Sequence, residues 1–160
     1  ITLAHAQRLC ARAGKRLPTS AEWYALALGT EEKECVINDT ESRNAHVSSC
    51  MSAVGAYDMI GNVWEWVNET VVGRTWQNRE LPAEGYVAEA DVSGIAITTQ
   101  DAAQAAYTED YFWSKEEGVF GMIRGGFYGS GSDAGLYTVN ASVPTNFATQ
   151  GVGFRCVQSL

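Results

Sequence analysis

Four cysteines and two histidines are the only residues in this 160-residue chain that offer a thiolate, a disulfide or an imidazole ligand. Cys10, Cys35, Cys50 and Cys156 stand far apart, no Cys-x-x-Cys pair occurs, and only His5 and His46 could complete a zinc site. Structural zinc sites draw on closely spaced ligand pairs, so this set argues against zinc. Spacing alone leaves two chemistries open. The sulfurs form two disulfides, in any of three pairings and in an oxidising compartment, or they are four buried thiols in a reducing one.

A second chemistry, recognition, is written in the last fifty residues. Phe127–Thr149 scatters Phe127, Tyr128, Tyr137 and Phe147 among Gly, Ser, Thr and Asn, and Asp133 is its one charged residue. Lys, Glu, Gln, Met and Trp are absent from it, although the chain holds 5 Trp and 3 Met elsewhere. Those are the five types that no cytosine-ended codon encodes. A segment rewritten at its first two codon bases, with cytosine kept third, has this composition. Rigid aromatics supply contact area and small polar residues adapt their hydrogen bonds, as in a paratope. Ser130, Asn146, Phe147 and Thr149 are expected at the surface, and Leu136 and Val139 in the core, while Tyr137 and Asn140 suit either place. An ordinary turn-rich connection is the plainer reading. Arg124-Gly125-Gly126 and Gly151-Val152-Gly153-Phe154-Arg155-Cys156 frame the segment.

The elements that must carry this segment are uneven in clarity. Thr2–Ala13 reads as a helix, with Thr2 as N-cap, Leu3, Ala6, Leu9 and Cys10 on one face and Gly14 as its stop. Thr19 and Glu22 have the spacing of a capping box, which opens a second helix running to Gly29. Residues 30–54 are polar and irregular. Val63–Val67 alternates as a strand, with Trp64 and Trp66 as scaffold packing rather than a carbohydrate platform. Residues 69–118 read as a long, loop-rich insert with a short helical piece near 101–107. Gly121–Arg124 and Val152–Val157 read as core strands.

Apolar content of 46% and charged content of 19% suit one globular domain spanning 1–160. A net charge of −8 repels phosphate backbones, so nucleic acid is excluded as a partner. No apolar run has the length of a membrane span, so membrane insertion is not expected. No signal pattern opens the chain, and Ile1 rather than Met comes first, which leaves secretion open.

Cys10, Gly14-Lys15-Arg16-Leu17-Pro18-Thr19-Ser20-Ala21-Glu22-Trp23, Gly55 through Trp66, Arg124-Gly125-Gly126 and Gly153-Phe154-Arg155-Cys156 together resemble the formylglycine-generating-enzyme (sulfatase-modifying factor) type domain. The resemblance covers roughly 1–68 and 119–157. It implies an α+β, C-type-lectin-like fold, with two N-terminal helices packed on a twisted antiparallel sheet. It also implies a Cys10–Cys156 disulfide, with Cys35–Cys50 as the second bridge. Asp58, Gly61, Val63 and Glu65 match positions that hold a structural calcium in the family, and no cofactor is otherwise required. The alternative is that Asp58 caps a turn and Glu65 pairs with Arg16 or Arg155. A second family calcium site finds only Asn44.

Catalytic members place two copper-binding cysteines shortly after Arg-Gly-Gly. Here Phe127–Gly135 contains none, and serine or glycine cannot supply a thiolate. The resemblance therefore implies no enzymatic activity. His5 and His46 cannot furnish the triad of related sulfoxide synthases and are taken as ordinary surface or helix residues. The frame and its restricted composition are most similar to the variable proteins of diversity-generating retroelements. That likeness implies a variable region of about 124–156 and a non-catalytic, extracellular or cell-surface binding protein with a protein or cell-surface ligand. The expected ligand surface is Phe127, Tyr128, Ser130, Asp133, Tyr137, Asn140, Thr145, Asn146, Phe147 and Thr149. A diverged oxidase of the same family, or an undiversified structural or adhesion domain, are the alternatives.

Overall fold

The structure, a computed structural model, describes residues 1–44 and 49–158. Helix α1 (Leu3–Arg12) starts where the Thr2 hydroxyl accepts the His5 N–H, and it buries Leu3, Ala6 and Cys10 at helical spacing. Helix α2 (Ser20–Ala27) opens on the full Thr19–Glu22 capping box. Arg16 grips Glu22 with both guanidinium nitrogens at 2.6 Å, which holds the Glu22 carboxyl down at about 2.

Among the described residues nine strands form one sheet: β1 (Trp64–Val72), β2 (Thr75–Trp76), β3 (Arg79–Glu80), β4 (Gly85–Ala90), β5 (Ala96–Gln100), β6 (Tyr111–Trp113), β7 (Val119–Arg124), β8 (Val139–Pro144) and β9 (Val152–Phe154). The order is β3-β2-β1-β7-β8-β6-β4-β5, with β9 beside the start of β1. Successive side chains of a strand point to opposite faces. On β1 this sends Trp66 to a core with Leu3, Ala6 and Cys10 of α1, and Val67 to a larger core with Trp23 and Ala27 of α2. The two helices thus cover opposite faces of the same strand.

Two sequence expectations need correction. The sheet is mixed rather than antiparallel, because β9 runs parallel to β1 and β8 parallel to β6. Parallel neighbours need long crossovers, so they join segments distant in sequence and leave no hairpin signature. Residues 69–118 are not a loop-rich insert. They finish β1 and supply β2 through β6, and the expected helical piece is a single 3-10 turn, Ala105–Tyr107. Among these strands β2, β3 and β6 are only two or three residues long, too short to show a period.

Cys10 bonds to Cys156 and Cys35 to Cys50, and no free cysteine remains among the described residues. The reading as four buried thiols is therefore set aside. In the chain-entropy picture the first bridge, spanning 146 residues, stabilises more than the second, spanning 15. Urea unfolding should find Cys10→Ala/Cys156→Ala destabilised by about 4–5 kcal/mol and Cys35→Ala/Cys50→Ala by about 3. The reverse order would mean that local strain, not loop closure, governs the bridges.

Candidate functional site

The segment Phe127–Thr149 is hung from one side chain. Arg124, at the end of β7, is fully buried. Its Nη1 donates to the Ser20 carbonyl (3.0 Å), Ser20 Oγ (2.9 Å) and the Ser93 carbonyl (3.0 Å). Its Nη2 donates to the carbonyls of Gly94 (2.8 Å) and Leu136 (3.1 Å). Burial lowers the guanidinium to about 10, so it stays charged at neutral pH. Gly125 follows at φ +90°, where a Cβ would lie 2.5 Å from the Met59 carbonyl. Only glycine makes that turn without strain.

Beyond it the segment is held mainly through its backbone. Tyr128 donates its N–H to the Asn62 carbonyl and accepts from the Asp39 N–H. Gly131 N–H reaches the Ile37 carbonyl, and the Thr145 carbonyl accepts from Leu3 N–H. These groups are the same whichever side chain occupies the position.

A groove of about 700 Å³ opens beside the segment. Of the expected surface residues it gathers Phe127, Tyr128, Asn140, Phe147 and Thr149. Phe147 is 39% exposed at the rim. Thr145 and Asn146 are exposed but outside the lining. Ser130 is half-buried, and its hydroxyl accepts the Phe127 N–H at 3.0 Å. Asp133 sits half-buried in a 3-10 turn away from the groove. Tyr137 lies elsewhere too, packed on Tyr24 at 5.8 Å and Tyr107 at 5.0 Å. Hydrogen bonding to Tyr24, with burial, pushes its hydroxyl up to about 12. Leu136 packs on the larger core and Val139 is fully buried.

The groove lining outside the expected surface includes Trp64, Trp113, Glu84 and Lys115. Trp66 is the packing residue expected, fully buried with its indole N–H on the Ile1 carbonyl. Trp64, two residues earlier, is half-buried in the groove wall, with its ring 5.7 Å from Trp113. A strand's alternation marks both tryptophans alike, and it cannot tell a covered face from an open one.

The residues matched to calcium do not fit a cation at Glu65. Its Oε2 accepts from Trp23 Nε1 at 2.8 Å and Arg155 Nε at 2.6 Å, and Arg155 Nη2 is bonded to Oε1. The carboxylate is thus satisfied by an ion pair, which is the alternative stated for it, with Arg155 as the partner. Asp58 is buried, Gly61 stands at φ +69° against the Val36 carbonyl, and Val63 is half-buried. Among the described residues no three His, Cys, Asp or Glu side chains converge to hold a metal ion. His5 and Asn44 are exposed, and His46 lies outside the described residues.

Under the segment sits an acidic pair, Asp110 buried and Glu32 half-buried. Asp110 is fully buried, with Tyr137 N–H donating to its Oδ2 at 2.6 Å. The Thr108 hydroxyl lies 3.1 Å from Asp110 Oδ1 and 2.8 Å from Glu32 Oε1. A threonine hydroxyl has one proton to donate, so it satisfies both neighbours when one carboxyl is protonated. Burial, aided by the charge of Glu32, raises the Asp110 carboxyl well above the usual range, and burial raises Glu32 as well.

A family model described as "Sulfatase-modifying factor enzyme 1-like domain" matches residues 37–160. Among curated proteins none matches the chain. Among solved structures the chain is similar to the Major Tropism Determinant U1 variant, at 22% identity over 97% of this chain and 36% of that one, with a TM-score of 0.62. The M1 variant gives the same identity and coverage with a TM-score of 0.61, and the P3c variant 20% identity, the same coverage and 0.59. The chain therefore spans 36% of the length of these proteins. The likeness shows a shared C-type-lectin-like fold.

Two outcomes are expected. Because Glu65 is already paired, EDTA should leave the melting temperature unchanged, and a calcium-dependent rise would restore Asp58, Gly61, Val63 and Glu65 as a ligand set. Asp110 and Glu32 hold a proton more tightly folded than unfolded. Their stabilisation is therefore complete below the ordinary carboxylate pKa and is lost as pH rises through the folded values. Asp110→Asn mimics the protonated acid, so stability measured from pH 4 to 8 should flatten in the variant. An unaltered slope would show that another group titrates.

Proposed function

The chain belongs to the sulfatase-modifying factor enzyme 1-like domain family, and from that premise we propose that it is a non-catalytic variable protein that binds a protein or cell-surface ligand in this groove. The observation that carries the reading is the placement of the compositionally restricted segment. Eight of its residues line one cavity, while its backbone is tied to the scaffold by bonds indifferent to side-chain identity. That is the arrangement a diversity-generating retroelement requires, since rewriting codons must alter contacts without unfolding the host.

The chemistry of the cysteines supports a binding role over an oxidase. The four that exist are spent in two bridges, and the stretch after Arg124-Gly125-Gly126 offers serine and glycine instead of thiolates. The two disulfides favour an extracellular or cell-surface setting. No helix among the described residues is long and apolar enough to cross a membrane. The similar structures are variants of one tropism determinant, which fits a scaffold whose task is recognition.

Two measurements test the proposal. Sequencing the surrounding locus should reveal a near-copy of the codons for Phe127–Thr149, differing only at adenines, beside a reverse transcriptase. Absence of any such repeat would leave an undiversified domain. Separately, Phe147→Ala should change stability by no more than about 0.5 kcal/mol, whereas Trp66→Ala should cost about 3–5 kcal/mol. A large loss from Phe147→Ala would place that ring in the core and count against a tolerant surface.

A further inference from the structure

The groove has a second wall that lies outside the variable segment. Tyr86 on β4 meets Tyr111 on β6 at 5.0 Å, Tyr111 meets Trp113 at 4.6 Å, and Trp113 meets Trp64 on β1 at 5.7 Å. All four rings are half-buried, in a continuous row. On β6 the alternation is clear, since Phe112 between Tyr111 and Trp113 is fully buried in the larger core and the two outer rings face away from it. Two members of the row, Trp64 and Trp113, line the same cavity as Phe127, Tyr128 and Phe147.

The charges around this wall are acidic on balance, three carboxylates near Tyr111 against one lysine in the groove lining. Glu84 lines the groove and is exposed. Glu84, Asp101 and Asp133 lie close enough to Tyr111 for their charges to add to burial in raising its hydroxyl. Lys115 is the only cation among the described residues lining the groove. Aromatic faces carry negative quadrupole potential, and a cation set over them is attracted, more so when carboxylates stand nearby. The chain's net charge of −8 acts in the same direction at longer range.

We propose that Tyr86, Tyr111, Trp113 and Trp64 form a constant docking platform for a basic segment of a protein partner, with arginine or lysine side chains over the rings and Glu84 as a fixed counter-charge. This deepens the reading of the groove as the ligand site and rests on it. The variable wall then selects among partners that share a cationic feature. Arginine suits the row best, because its planar guanidinium stacks on a ring while its N–H groups reach a carboxylate.

The test is a fluorescence titration of the chain with heptaarginine, with maltoheptaose and hexaglutamate as rival probes. Saturable tryptophan quenching by heptaarginine is expected, weakening at least tenfold between 50 mM and 500 mM salt. Glu84→Gln should weaken it at least threefold, while Glu31→Gln, which removes the same charge outside the groove lining, should not. Trp113→Leu should abolish it. Binding that ignores Glu84→Gln, or saturable binding of maltoheptaose in its place, would overturn the platform. A ligand recovered by screening that depends on Phe147 but not on Trp113 or Glu84 would overturn it as well, while leaving the proposed function standing. Glu84→Gln changes an exposed residue, so its result stands even if Trp113→Leu folds poorly.

Discussion

The arrangement depends on a guanidinium with no contacting carboxylate among the described residues. Arg124 is charged and wholly inside the protein, and removing such a group from water is costly unless its N–H groups are all received. Five acceptors receive its two Nη atoms, while its Nε is buried without a hydrogen-bond partner among the described residues, and the five come from three places far apart in sequence: Ser20 at the start of α2, the Ser93–Gly94 turn, and Leu136 inside the Phe127–Thr149 segment. Carbonyls are available whatever the side chains are, but they converge only when all three segments are in place. The cost of leaving this charge unmet therefore couples α2, the turn between β4 and β5, and the Phe127–Thr149 segment into one folding unit. Lysine, with a single compact ammonium, could not span the three.

The same economy recurs around the site. Glu65 joins β1 to the C-terminal strand through Arg155 and to α2 through Trp23, and the Cys10–Cys156 bridge ties α1 to the same C-terminal stretch. These contacts use residues outside Phe127–Thr149. Where that segment is hydrogen-bonded to the scaffold, the groups include backbone N–H and C=O of Tyr128, Gly131, Leu136, Tyr137 and Thr145, while Leu136, Val139 and Ala141 also pack into the larger core. On the proposed reading, the groove-lining side chains are left for recognition. A surface substitution there perturbs recognition with small effect on stability, because exposed positions away from caps and buried networks rarely change folding energy by much.

What could be read from the residues follows from how locally each feature is encoded. Both helices were legible, since Thr2, Thr19 and Glu22 act within one turn and the apolar stripe repeats within ten residues. The frame around the variable segment was legible as motifs. The mixed sheet was not, because pairing β1 with β9 or β6 with β8 depends on chain reversals far away in sequence. The middle of the chain was misjudged for a related reason: strands as short as Thr75–Trp76 carry no period, and their stability comes from neighbours. Half of the expected ligand surface meets in the groove. Tyr137 does not, as its ring finds Tyr24 and Tyr107, two aromatics no local pattern connects to it. Trp113 was missed because it sits in the misjudged region.

Strand geometry also limits how far such a segment can vary. Along β8, Val139 and Ala141 are fully buried in the larger core, while Asn140 and Ser142 between them are half-buried on the groove side. Alternate positions therefore face different demands, and a codon change at Val139 meets packing where one at Asn140 meets ligand. Earlier in the segment, Gly135 presses on the buried Asp110 carboxyl, so that even a Cβ there would lie 1.9 Å from Oδ1. The free positions are thus not a stretch but a comb, thinned by every second residue on the strand and by each backbone approach in the turns. A variable wall of that kind is sparse, and a few scattered side chains hold a partner poorly by themselves. On the proposed reading, a constant aromatic wall across the same groove would supply contact area that diversification cannot erase, leaving the comb to decide which partner stays.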